Sequence, residues 1–379
     1  MEMLPIYRPP AAHADEPCCG PPAGPPSSPD ERPGYSLCRF VERFIPTPVG
    51  PVPCVKTVLD RQDQLGRLRV RLGYGRNDYK VAPGLYATGD PDADAPVLVT
   101  ANYKLTFDHL RVALSRIDAW ILVLDTRGIN VWCAAGKGSF GTGELVHRVQ
   151  MTGLAKVVRH RRLILPQLGA TGVAGHWVRQ ACGFEVVWGP VRAGDINAFL
   201  ASGKCDRAGM RAVSFTLGER LALVPVEISL LRKYLLWALL AIGVVSGIGP
   251  ALFSWSAAWQ RGVLAIAAVV AGIAAGCVAV PLCLPWLPGR AFALKGTIAG
   301  LILGGLMVAR LWANPWITPW GAVALLLMAT AVSSFLAMNF TGSTPFTSPS
   351  GVEKEMRRAI PLQAAAMLLA AGLWVGAAF

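Results

Sequence analysis

Cys133 stands apart from the other cysteines by its surroundings. It lies in INVWCAAGKGSFGT, residues 129–142, directly after the apolar run DAWILVLDTRG. Three chemistries use such a stretch. Phosphate loops use the glycines, nucleophilic enzymes use the thiol, and ligation of a metal cofactor uses both. The phosphate-loop pattern GxxxxGK[ST] fails, because Val131 stands where its first glycine belongs and Gly138 where Ser or Thr is required. A GxGxxG is present at Gly136, Gly138 and Gly141, but it begins several residues beyond the strand and lacks the acid expected about 20 residues on. A nucleophilic thiol needs a base. None of His13, His109, His147, His160 and His176 has a context that marks it as one. The plain alternative is a buried cysteine packing as a small hydrophobe. Ligation makes a different demand. A thiolate beneath a large planar cofactor needs small neighbours, so that the ring approaches the backbone. Ala134, Ala135, Gly136 and Gly138 supply them, and Asn130 is placed to cap a short helix carrying Cys133.

The elements that must position this loop read as a strand–helix alternation. APVLVTANY, AWILVLDT, RLILPQL and FEVVWGPV are strands. TFDHLRVALSRI, GTGELVHRVQMTG (starting near Thr142), GATGVAGHWVRQACG (closed by Gly183) and AGDINAFLASG are helices. Continuous apolar strands between helices predict an α/β, Rossmann-like doubly wound domain with a parallel sheet covered on both faces. In such sheets ligands sit beyond the carboxyl ends of the strands, which is where NVWCAAGKG falls. Upstream, YSLCRFVERFIPTPVGPVPCV reads as an amphipathic opening and LGRLRVRLGYGRNDYKVAPGLYATG as a hairpin.

Composition divides the chain. Hydrophobic residues make up 53% and charged residues 16%, and the imbalance is concentrated after Tyr234. Apolar spans near 234–253, 262–284, 293–312, 318–338 and 359–379 each have about the 20 residues needed to cross a bilayer. Tyr234, Trp255, Trp259, Trp286, Trp312, Trp316 and Trp320 sit at span ends, as interfacial belts do. Gly300 and Gly304 form a GxxxG, expected at a close helix contact. The expected organisation is a disordered Pro-rich leader over 1–33, an α/β domain over 34–228, and an all-α, five-helix transmembrane domain over 229–379. With the α/β domain inside, Arg232, Lys233, Arg290, Lys295, Lys354, Arg357 and Arg358 flank the spans on the cytoplasmic side, against Arg261 and Arg310 outside. That bias predicts a multi-pass protein of the cytoplasmic (inner) membrane with its C-terminus outside. The net charge of +13 comes without a basic stripe interleaved with aromatics, so nucleic acid is not expected as a partner. Nine cysteines with no CxxC exclude a zinc ribbon and an in-chain iron–sulfur cluster, and argue against a disulfide framework.

NVWCAAGKGSFGT resembles the cap-helix motif of the mercury-methylating corrinoid proteins, N-V/I-W-C-A-A-G-K-G followed by F-G-T. VAPGLYATGDPDADAPVLVTANYKLTFDHLR and HRRLILPQLGATGVAGHWVR…GFEVVWGPVRAGDI are similar to the corrinoid-binding domain of the corrinoid iron–sulfur protein of acetyl-CoA synthesis. The five-span tail, with NFTGSTPFTSPSGVEKEMR before the last span, also resembles the mercury-methylation family. The resemblance implies a cobalamin-type corrinoid held base-off, with Cys133 as the lower ligand of cobalt. Asn130, Val131, Trp132, Ala134, Ala135, Gly136, Lys137, Gly138 and Thr142 would frame it, and Gly169, Ala170, Thr171, Gly172 and Val173 would lie near it. Two departures matter. Cys18, Cys19, Cys38 and Cys54 lack the spacing of the iron–sulfur relative's cluster domain, so a separate ferredoxin-like 4Fe–4S protein is implied as electron donor. The His-on corrinoid signature DxHxxG is absent, since His109 directly follows Asp108, and this agrees with ligation by cysteine.

The activity implied is a corrinoid-dependent methyltransferase. A methyl group would come from methyltetrahydrofolate or its methyltransferase and pass from cobalt to inorganic Hg(II), the soft thiolate below favouring its departure. Trp132 would pack beside the ring or in the core, and Lys137 would pair with an acid or stay solvated. Cys277 and Cys283 in the second span are candidate soft-metal ligands for transport, or simple packing residues. Two other classes stand beside this one: a membrane-anchored corrinoid methyl carrier of one-carbon metabolism with another acceptor, and a nucleotide-binding membrane transport protein that would not need Cys133.

Overall fold

The computed structural model describes residues 39–203, 208–340, 344 and 349–379. The expected leader, Cys18, Cys19, Cys38, Cys205 and much of the NFTGSTPFTSPS stretch lie outside these residues. The chain forms two compact units, one running to Ser214 and the other from Phe215 to Phe379 with Arg71–Gly73 added.

A seven-stranded mixed sheet organises the first unit. Its strands are β1 (Val41–Thr47), β2 (Gly50–Val55), β3 (Gly84–Thr88), β4 (Val97–Ala101), β5 (Ala119–Leu124), β6 (Arg162–Pro166) and β7 (Glu185–Gly189), in the spatial order β1-β2-β3-β5-β4-β6-β7. From β5 to β7 every pairing is parallel, whereas β3 runs antiparallel to β5 and β1 pairs β2 as a hairpin. The helices of this unit are α1 (Arg61–Arg71), α2 (Lys104–Ala113), α3 (Val131–Gly136), α4 (Thr142–Met151), α5 (Leu154–Val157), α6 (Gly175–Cys182), α7 (Ile196–Ser202) and α8 (Ala208–Arg211).

Every residue of β3, β4 and β5 is buried, which explains their mostly apolar sequences, broken only by Thr88 and Thr100. Their side chains still alternate between two cores. Val97, Val99, Leu122 and Leu124 pack with Leu145 and Val149 of α4 and Val178 of α6. Leu98, Ile121 and Val123 pack with Phe107 and Leu110 of α2 and Ile196 of α7. Helices therefore cover both faces. The chain leaves β4 for one face and β5 for the other, so the carboxyl ends of these neighbouring strands form a crevice of the kind that receives ligands.

Three expectations are corrected. The predicted hairpin over residues 65–89 is instead the end of α1, a short turn and β3, because LGRLRVR carries its leucines at helical spacing. The amphipathic opening is the β1–β2 hairpin, turning at Gly50 with φ +109°. The glycine-rich helix expected from Gly169 begins only at Gly175, since Gly169–Val173 folds as a short turn and loop.

The second unit is helical. After α9 (Leu217–Leu221) come α10 (Val224–Gly247), α11 (Trp255–Ile273), α12 (Val280–Cys283), α13 (Phe292–Leu311), α14 (Pro319–Phe340) and α15 (Pro349–Gly376). A π-helical stretch, Ala274–Ala279, joins α11 to α12. Five helices, counting this joined pair as one, are long and apolar enough to cross a membrane. Gly296, Gly300 and Gly304 recur every fourth residue along α13 and meet α14 at van der Waals distance. A Cβ at Gly300 would stand 2.8 Å from the Cα of Thr330. Close approach of this kind holds helices together where no hydrophobic effect does.

Candidate functional site

The chain leaves β5 through Asp125–Ile129, and a single buried side chain shapes that turn. Asn102, the residue after β4, accepts the N–H groups of Thr126 at 3.1 Å and Gly128 at 2.9 Å on its Oδ1. Its Nδ2 donates to Asp125 Oδ1 at 3.0 Å. Thr126 Oγ1 donates to the Ile129 carbonyl at 2.7 Å, and Glu144 of α4 accepts the Asp125 N–H at 2.8 Å. Arg127 adopts a left-handed φ of 58°, which is uncommon for a residue with a side chain. Sequence reasoning missed Asn102 and Thr126. The available signal was polar residues just after two largely apolar strands, Asn102 after β4 and Asp125–Thr126 after β5, and buried polar groups there must find partners.

This turn delivers the chain into α3. Asn130 is the N-cap, and its side chain accepts the Cys133 N–H at 2.9 Å. Asn satisfies an otherwise orphaned donor in the first turn, as expected. Val131, Ala134 and Ala135 face the core, while Trp132 and Gly136 are exposed and Cys133 is partly so. The three outward positions fall at helical spacings and share one face. Trp132 is thus settled as a surface residue beside the thiol rather than a core residue. A Cβ at Gly136 or Gly138 would meet nothing within 4 Å, so open space adjoins this face. Lys137 is the C-cap, and Gly138 turns the chain with φ +78°.

Gly169–Val173 packs against the back of α3. The Gly172 Cα lies so close that an added Cβ would overlap the Phe140 carbonyl and stand 3.0 Å from the Ala135 Cα. The Gly172 carbonyl accepts the Thr142 N–H at 3.2 Å, and Thr142 Oγ1 accepts the Ala174 N–H at 2.9 Å. Residues 130–142 and 169–173 are therefore one assembly. Within it Val131, Ala134, Ala135, Thr142, Gly169 and Val173 are buried framework, and Ala170 and Thr171 are exposed.

The GxGxxG glycines do not form a dinucleotide loop. Gly136 ends one helix and Gly141 caps the next, so the pattern straddles two helices instead of joining a strand to a helix. The other described thiols of this unit are engaged elsewhere. Burial pushes the Cys54 and Cys182 thiols up, and they donate to the carbonyls of Gly89 and Val178. Among the described residues, no three His, Cys, Asp or Glu side chains gather as a metal cluster.

Residues 73–200 match the family of the CO dehydrogenase/acetyl-CoA synthase delta subunit. That span holds both the Cys133 turn and the Gly169–Val173 loop. Among curated proteins the chain is similar to acetyl-CoA decarbonylase/synthase complex subunit gamma. It is 40% identical to that of Methanopyrus kandleri over 128 residues, 33% of this chain and 27% of the relative. It is 32% identical to that of Archaeoglobus fulgidus over 127 residues and 36% identical to that of Methanocaldococcus jannaschii over 98. The chain thus spans about a quarter of the length of these relatives. These matches correct the expected membership of a mercury-methylating family. The α/β unit aligns with proteins of the acetyl-CoA decarbonylase/synthase complex, and Hg(II) as acceptor falls with that assignment.

Proposed function

We propose that the protein is a membrane-tethered corrinoid methyl carrier of one-carbon metabolism, with Cys133 as the lower ligand of cobalt. The observation that carries this reading is the outward face of α3. It presents a partly exposed thiol between an aromatic ring and a bare glycine, beside open space, at the carboxyl end of β5. The similarity of residues 73–200 to subunits of the acetyl-CoA decarbonylase/synthase complex supports it.

The residues fit a flat macrocycle. Gly136 and Gly138 leave the approach clear, and the buried Ala134 and Ala135 keep α3 seated on the sheet while its other face receives the group. When bound, the corrinoid supplies a cobalt centre that takes up and releases a methyl group. This chain's residues do the rest. Asn130 fixes the backbone beneath the Cys133 Sγ, and the thiol gives up its proton on ligation. Trp132 offers an exposed ring on the same helix, and Ala170 and Thr171 are exposed on the adjoining loop. The α/β unit, which runs to Ser214, lies on the cytoplasmic side and the helical unit from Phe215 crosses the membrane, a placement that the basic residues flanking the spans favour. A ferredoxin-like 4Fe–4S protein serves as reductant, and methyltetrahydrofolate or its methyltransferase as methyl source.

The test is the visible absorption of the full-length protein reconstituted with cobalamin, for the parent and Cys133→Ala. A base-off, thiolate-ligated spectrum in the parent that the variant lacks is expected. Failure of both to retain corrinoid would remove the proposal.

A further inference from the structure

The helical unit contains a cavity of ≈ 1390 Å³, walled by α13, α14, α15 and the segment between α12 and α13. Its lining is rich in cations. Arg220, Arg290, Lys295, Lys354 and Arg358 contribute, against one acid, Glu355. That acid is engaged, since it accepts the Ala293 N–H at the start of α13, at 2.6 Å. Among the described residues no carboxylate forms an ion pair with any of the five cations.

Basic residues that flank membrane spans ordinarily reach outward into water. Arg220 and Lys295 do not, being 7% and 8% exposed. Arg220 donates to the carbonyls of Pro281 at 3.0 Å and Leu282 at 2.9 Å. Lys295 donates to those of Leu284 and Leu287. Buried cations met only by neutral carbonyls carry an uncompensated charge, which a nearby anion relieves. Gln363 also lines the cavity and is 9% exposed. Its Nε2 donates to Ser334 Oγ at 2.9 Å, and its Oε1 is buried without a partner.

Leucines share the wall with the cations and a few hydroxyls. Leu294 and Leu362 line it while being 48% and 72% exposed, and Leu327 lines it as well. Cations and exposed aliphatic side chains in one cavity describe a site for an amphiphile.

We propose that this cavity binds one anionic phospholipid, its phosphate held by the exposed Arg290, Lys354 and Arg358 and offsetting the buried charge of Arg220 and Lys295, with an acyl chain along Leu294, Leu327 and Leu362. The site rests on the reading of the five helices as membrane spans, and not on the corrinoid.

The test is native mass spectrometry of the full chain, extracted in mild detergent from vesicles holding equal parts of phosphatidylglycerol and phosphatidylcholine. The parent retains one phosphatidylglycerol per chain, favoured over phosphatidylcholine by about ten-fold or more. Combined Arg290→Gln, Lys354→Gln and Arg358→Gln bring the ratio to about one, with unchanged helicity and thermal unfolding. Gln363→Leu, which keeps the cations, lowers retention of the lipid while preserving the preference for charge. Equal retention of the two lipids by the parent would overturn the site. So would displacement of phosphatidylglycerol by excess inorganic phosphate, which would show a site for the anion alone. A chain that stays monodisperse without detergent would overturn the span reading, and the lipid site with it.

Discussion

Asn130 Oδ1 holds the Cys133 N–H at 2.9 Å, so the residue that starts the helix also fixes the backbone of its thiol. The cap sits at the far side of a turn that Asn102 ties to the neighbouring strand. Sulfur position is thus set by two asparagines in series, one at the end of β4 and one after β5.

Asn130→Ala removes the cap and is expected to cost about 1 kcal/mol of stability. Asn130→Ser or Asn130→Asp keeps an acceptor and restores most of it. Urea unfolding of the detergent-solubilised protein measures the stability. Cobalamin retention after gel filtration reads the site, and a variant that unfolds more easily yet keeps the parent's cobalt spectrum would separate the cap from the function.

Asn102→Ala strands the buried Gly128 N–H and leaves the Thr126 N–H only its 3.1 Å bond to the Leu124 carbonyl. Each unmade bond is expected to cost about 1–3 kcal/mol, making this one of the most damaging single changes outside the hydrophobic core. Asn102→Asp keeps the acceptor but sets a second carboxylate beside Asp125, now 3.0 Å from the Asn102 amide nitrogen. It is therefore expected to rescue little. Thermal unfolding checks both, and full rescue by Asp would show that the Asp125 contact is unimportant.

Gly172→Ala drives a methyl group into the Phe140 carbonyl and the Ala135 backbone. Overpacking of this kind is expected to cost about 1–3 kcal/mol and to push α3 away from the sheet. Increased hydrogen exchange across residues 131–142 is the measurement. Unchanged exchange there would mean that the loop, and not α3, gives way.

The cluster of Asp63, Lys104, Asp108 and Arg111 carries a pH dependence. Burial pushes the Asp63 carboxyl up, but hydrogen bonds from Lys104 and Arg111 and their charges outweigh it and leave it below the usual 3.8. A carboxyl held low stabilises the fold above its unfolded value, and that stabilisation is lost as the pH falls through the folded one. Lys104 titrates in the opposite sense. Burial lowers it, yet Asp108 and Asp63 hold it above the usual 10.5, so its contribution fades as the pH rises through the folded value. Asp63→Asn should flatten the acid side of a plot of melting temperature against pH. An unchanged acid limb would assign acid sensitivity to other carboxyls.

Much of the core was legible because its signal was one-dimensional. The strand AWILVL, the helix beginning at Thr142 and all five apolar helices follow from periodicity or length alone. The Asn130 cap was legible because capping is a local rule. The helix before β3 was not, since RLRVRL alternates as a strand would while RQDQLGRLRVR also places Leu65 and Leu68 at helical spacing. Gly169–Val173 misled for a different reason. Its glycines suit a close-packed helix start, but their smallness answers to Phe140 and Ala135, residues far along the chain. The roles of Asn102 and Thr126 were equally hidden, because their partners come from an adjacent strand and no local pattern names them.

The empty space beside Gly136 sets two selections against each other at a single Cα. Alanine there has room for its methyl group and suits a helix better than glycine, by about 0.5–1 kcal/mol. A mutational scan scored by folding alone would therefore favour it. A scan scored by corrinoid retention would penalise it if the proposed ring lies against this face. Disagreement between the two scans, position by position along α3, would trace the outline of the bound group.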